Sequence, residues 1–92
     1  MAKYFLFGKY SQEGLKNASA ERTRKVTEAI EKAGGKVLSM DILLGEKDLA
    51  ITADLPNTAS AVKASIALTK LTGIGFSSSP AISVEEFDKM LG

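Results

Sequence analysis

KVLSMDILLGEKDLAITADL, residues 36–55, decides the fold: two apolar runs, Val37 to Leu44 and Leu49 to Leu55, are joined by Gly45-Glu46-Lys47-Asp48. A parallel return needs a crossover of a dozen or more residues, so two strands this close together form an antiparallel hairpin. Alternation gives the first strand Leu38, Met40, Ile42 and Leu44 on one face and Val37, Ser39, Asp41 and Leu43 on the other. The second splits into Leu49, Ile51, Ala53 and Leu55 against Ala50, Thr52 and Asp54. Each strand thus has one wholly apolar face and one mixed face.

Upstream of the hairpin, Ala20 to Ala33 reads as a helix capped by Ser19, with Val26, Ala29, Ile30 and Ala33 on its inner side and Gly34-Gly35 ending it. Its outer side alternates in charge, which is the pattern of a solvated face, and Glu21 with Lys25 and Glu28 with Lys32 are expected as i,i+4 pairs. Before it, Ser11 to Gly14 forms a turn or a single helical turn with Ser11 as cap. Tyr4 to Tyr10 reads as a strand bulky on both faces, Tyr4, Leu6 and Tyr10 against Phe5 and Phe7, and so as a central one.

Downstream, Pro56-Asn57 ends the hairpin, and a second helix, capped by Asn57 or Thr58, runs to Thr72. Small and aliphatic residues almost cover it, so it should be more buried than the first. Ile74 to Ala81 is a weaker strand, placed at a sheet edge by Pro80, which cannot donate to a ladder. Ser83 and Glu86 form a capping box, with Ile82 and Phe87 as its hydrophobic staple, for a terminal helix Val84 to Leu91. Eight residues do not hold a helix alone, so this one is expected to dock on something.

The order strand, helix, strand, strand, helix, strand is the ferredoxin-like βαββαβ arrangement: an α+β fold with a four-stranded antiparallel sheet, two helices on one face, and here an extra short C-terminal helix. The whole chain, 1–92, is one domain, expected to bury roughly 60 to 65 % of its unfolded surface. The face without helices keeps either Phe5 and Phe7 or Tyr4, Leu6 and Tyr10. A buried Leu or Phe is worth about 1.5–3 kcal/mol, so such a face favours association, and the expectation is a homodimer with sheets packed face to face.

Composition removes several chemistries. With no Cys and no His, the chain has no disulfide, thiolate nucleophile or imidazole base and lacks the commonest metal ligands, so neither a metal nor a cofactor is expected. Lys+Arg 12 against Asp+Glu 11 leaves a net charge of +1, too small a field to draw nucleic acid or an anionic membrane. RNA binding through the sheet is excluded further because Leu49 to Leu55 offers no aromatic for base stacking. The apolar start ends at Gly8-Lys9, too short for a signal peptide, and no run approaches a membrane span; a soluble, cytoplasmic chain is expected.

Tyr4-Phe5-Leu6-Phe7-Gly8-Lys9-Tyr10 followed by Glu13-Gly14, the pair Gly34-Gly35, the turn Gly45-Glu46-Lys47-Asp48, Asp54-Leu55-Pro56 and Glu85-Glu86-Phe87-Asp88 together resemble the GYD domain family over essentially the whole chain. In the family the turn usually reads Gly-Glu-Tyr-Asp, and Lys47 stands here at the tyrosine's place. The resemblance implies a ferredoxin-like subunit of a dimeric α/β barrel and implies little about activity.

No residue declares a reaction. Lys9, Tyr10, Arg22, Ser39 and Asp41 are the polar side chains able to reach a cavity, with Asp41 either facing solvent or lining it beside Ser39. Asp48 and Glu46 are read as hydrogen-bonding the turn amides, and Asp54 as capping the turn that follows it. Two readings remain: a small-molecule-binding or regulatory module, with its ligand expected between the two sheets or at the dimer seam, and a cofactor-independent enzyme of the monooxygenase-like dimeric barrel type, the latter by fold analogy. An interior cavity holding two or more of the named polar groups would favour the enzyme.

Overall fold

The computed structural model describes residues 1–92. Strands β1 (Ala2–Lys9), β2 (Lys36–Ile42), β3 (Leu49–Leu55) and β4 (Gly75–Ala81) and helices α1 (Gln12–Lys16), α2 (Ala20–Lys32), α3 (Thr58–Thr72) and α4 (Val84–Leu91) follow one another in the order β1-α1-α2-β2-β3-α3-β4-α4. The sheet is antiparallel throughout, in the order β2-β3-β1-β4, with β1 central and β4 at an edge. The architecture is the ferredoxin-like one expected.

Register decides which face of β1 is buried. Tyr4 stands opposite Ala53 and Leu6 opposite Ile51, and these side chains pack with Val26 and Ile30 of α2 and Ala61, Ala64 and Leu68 of α3. The small Ala53 makes room beside the Tyr4 ring, whose hydroxyl reaches Thr58 Oγ1 at 3.2 Å. Phe5 and Phe7 therefore occupy the face without helices, where their rings stack at 5.9 Å.

Strict alternation fails in β2. Val37 pairs with Ala53 but Ser39 pairs with Thr52, so Leu38 is an extra residue in a bulge. The bulge puts Val37 in phase with Met40, both against the core, and leaves Leu38 exposed. The strand also ends at Ile42, and Leu44 lies wholly in solvent.

Helix ends follow their sequence signals. Ser19, Asn57 and Ser83 each accept a hydrogen bond from the backbone N–H three residues on, as does Ser11 for α1. After α2, Gly34 N–H donates to Glu31 O and Gly35 N–H to Ile30 O, with Gly34 at φ +88°: a Schellman motif. Gly35 is required for space. A Cβ there would lie 2.5 Å from Leu55 Cδ2 and 2.7 Å from Asp54 O, a fully buried side chain and a backbone atom that cannot move aside. Gly35→Ala should lower stability by about 1–3 kcal/mol, read as a lower urea midpoint with an unchanged slope.

Three details differ from the sequence reading. On α2, Arg24 rather than a lysine forms the ion pairs, bridging Glu21 and Glu28 (2.8 Å to the latter), because the planar guanidinium spans both neighbours. On α3 the inner stripe Ala61, Ala64, Leu68 and Thr72 is buried, but Val62 and Ile66 on its other side remain half exposed, since the sheet covers only one side of a helix. Every residue of α4 is exposed, including Val84, Phe87, Met90 and Leu91. The helix expected to dock finds no surface within its own chain.

Candidate functional site

The end of the sheet where β1 and β2 finish and β3 and β4 begin does not close against α2. A pocket of about 180 Å³ opens there, walled by Val26, Met40, Leu49, Ile74 and Phe76. Tyr10, Arg22 and Thr23 bring polar groups to it. Thr72 stands at the back with its hydroxyl engaged, donating to Leu68 O at 2.7 Å and accepting from Ile74 N–H at 3.1 Å.

Tyr10 is placed by the hairpin loop. Its backbone N–H donates to Asp48 Oδ2 at 2.8 Å, and Asp48 N–H donates to Gly8 O at 3.0 Å, so one residue clasps the end of β1 from both sides. Asp48 O in turn accepts from Leu43 N–H at 2.8 Å, closing the loop over Gly45, whose φ of +128° suits glycine. The Asp48 carboxylate thus bonds the amide that follows the end of β1 rather than those of its own turn. Glu46 takes part through its carbonyl, which accepts from Lys9 Nζ at 2.9 Å, and no hydrogen bond to the Lys47 side chain or to the Asp54 carboxylate is formed. The glycine-to-aspartate turn is a clamp that fixes Tyr10.

Arg22 is placed by α1. Its Nη1 donates to Gly14 O at 2.5 Å, and its guanidinium carbon lies 5.9 Å from the centre of the Tyr10 ring. Gly14 can come this close because it lacks a side chain: a Cβ would meet Ile74 Cγ1 at 3.0 Å. Arg22 forms no ion pair, in contrast to Arg24, two residues further along and therefore on the solvent side of the helix.

Of the five polar residues singled out in the sequence, Tyr10 and Arg22 meet in this pocket. Asp41 borders it from β2, but it pairs with Ala50 and so shares the sheet's open face with Ser39, which pairs with Thr52 and is not part of the lining. Lys9 is also outside, because it follows Phe7 on the open face and reaches across to the loop. The apolar wall escaped a reading that looked for polar groups. Thr23 had a signal, since it falls on the inner stripe of α2 three residues before Val26.

The match of a family model for the GYD domain to residues 4–91 covers nearly the whole chain. The chain belongs to the GYD domain family. No curated protein matches it. In this GYD domain the loop that carries the Gly-Glu-Lys-Asp turn is the element that holds Tyr10 at the pocket. No helix is long and apolar enough to cross a membrane.

Proposed function

We propose that this GYD domain is a small-molecule-binding or regulatory module that works as a homodimer through the open face of its sheet. The observation that carries the binding reading is the pocket itself, an apolar recess with Tyr10 and Arg22 beside it. The dimer reading rests on the open face, where Phe5 and Phe7 sit centrally among Ala50, Thr52, Ser77 and Ser79 while Lys3, Lys9, Lys36 and Asp54 lie towards its margins. Aromatic residues at the middle of a patch whose charges are kept to its margins are the composition of a protein interface.

The alternative, a cofactor-independent enzyme of the monooxygenase-like type, draws support from two polar side chains meeting in one apolar recess. Such chemistry also needs a group to take a proton from the substrate. The Thr72 hydroxyl is occupied, the chain has no histidine, and Asp41, the bordering carboxylate, lies on the other face of its strand. Binding is therefore the first reading.

Native mass spectrometry of freshly purified protein tests assembly and ligand together. The expected species has twice the subunit mass of 9.7 kDa and carries an additional small mass. A single-chain species would overturn the dimer. A dimer with nothing added would point to a purely structural assembly.

A further inference from the structure

We propose that the pocket's ligand is an amphiphilic carboxylate about the size of one aromatic ring with a short acidic arm, its charge held by Arg22 and Tyr10. This rests on the reading of the pocket as a small-molecule site and adds the class of molecule.

Charge comes first. Among the residues lining the pocket, Arg22 is the one cation, and the one acidic residue, Asp41, is turned to the opposite face by its register with Ala50. A guanidinium has five N–H donors, and Arg22 spends one side-chain donor, on Gly14 O. The same helix shows an arginine whose charge is matched, for Arg24 is paired with two carboxylates. Arg22, half-buried, has none. An anion entering the pocket adds a charged partner to donors that otherwise meet water, a neutral molecule displaces that water without adding one, and a cation is repelled.

The guanidinium fits an anion with two oxygens side by side, and of carboxylate and phosphate, which both present such a pair, the carboxylate is the smaller beside an apolar body in about 180 Å³. The Tyr10 ring beside the guanidinium orients it, and an oriented guanidinium edge matches a carboxylate through paired N–H···O bonds. The Tyr10 hydroxyl makes no hydrogen bond within the chain and is free to donate. The rest of the ligand is set by the wall: apart from Tyr10, six of the eleven lining residues are hydrophobic, which disfavours a bare inorganic anion. An apolar cavity of about 150 Å³ accommodates benzene. A volume of about 180 Å³ therefore takes a single ring and a short polar arm.

The test titrates the full chain with phenylacetate, phenylacetamide and 2-phenylethylamine, three probes of similar size that differ in charge, following backbone amide resonances of Met40, Ile74 and Phe76. Phenylacetate should bind about ten-fold or more tighter than the amide, the increment of one hydrogen-bonded charge, and the amine weakest. Arg22→Gln should bring acid and amide to within about two-fold of each other. Tyr10→Phe, which removes only a hydroxyl, should weaken phenylacetate by a smaller factor and provides a second reading should Arg22→Gln unfold by releasing α1. Equal binding of acid and amide to the unaltered protein would overturn the carboxylate while leaving the pocket as a binding site. Absence of any response to all three probes would overturn both.

Discussion

Leu6→Ala should lower the free energy of unfolding by about 2–5 kcal/mol, and Leu6→Asp should leave no folded protein. Leu6 is completely buried at the middle of the central strand, opposite Ile51 on one side and Ser78 on the other, in the cluster that joins the sheet to α2 and α3. Truncation leaves a cavity that two helices and three strands would have to shift to fill. For a chain of this size each kcal/mol moves the midpoint of thermal unfolding by about 4–8 °C, so the alanine variant should melt at least about 8 °C lower in circular dichroism. The aspartate variant would hold an unpaired carboxylate among aliphatic side chains. A Leu6→Ala midpoint within about 2 °C of the parent would mean that this face of β1 is not the one against the helices.

That face was the point at which sequence reading stopped. β1 is bulky on both sides, so alternation marks two equivalent faces and cannot rank them; pairing with β3 decides, because Ala53 leaves space for Tyr4 whereas Phe5 and Phe7 meet Thr52 and Ala50 on the far side. Signals that act within a few residues were legible: the hairpin itself, the caps at Ser19, Asn57 and Ser83, and the Gly34-Gly35 stop. The bulge at Leu38 was not, since every residue from Val37 to Leu44 except Ser39 and Asp41 is apolar and a shift of phase leaves little trace in such a run.

The pocket divides in the same way. Tyr10 and Arg22 could be named as polar groups near apolar elements, but their meeting depends on partners distant in the chain. Asp48 reaches Tyr10 across 38 positions, and Gly14, which packs against Ile74 closely for want of a side chain, offers its carbonyl to Arg22 eight positions on. Neither link has a sequence period. The aspartate of the Gly-Glu-Lys-Asp turn serves β1 more than its own turn, so the clamp does not depend on which side chain stands at position 47.

Phe7→Asp, one position along from Leu6, should have the opposite outcome: a folded chain that no longer pairs. Phe7 lies on the open face opposite Ala50 and Ser77, stacked on Phe5, and contributes nothing to the core on the other side of the sheet. The fold should survive, with a far-ultraviolet circular dichroism spectrum like the parent's. In the proposed dimer two copies are altered at once. Each loses about 1.5–3 kcal/mol of apolar burial and sets a carboxylate against the partner sheet, so the dissociation constant should rise by about a thousand-fold or more. The margin available is small. A four-stranded sheet seven residues long presents about 450 Å² in plan, against the roughly 800 Å² per partner of a stable interface. In the proposed dimer the remainder would come from the exposed apolar residues of α4, which leaves the sheet beside Lys3, Asp54 and Ala81 and finds no cover in its own chain. Sedimentation velocity at micromolar concentration should therefore give a single-chain species for Phe7→Asp and a two-chain species for the parent. A variant that stays folded and sediments with the parent's mass would show that the copies meet elsewhere, with the exposed Val62 and Ile66 of α3 as the next surface to alter.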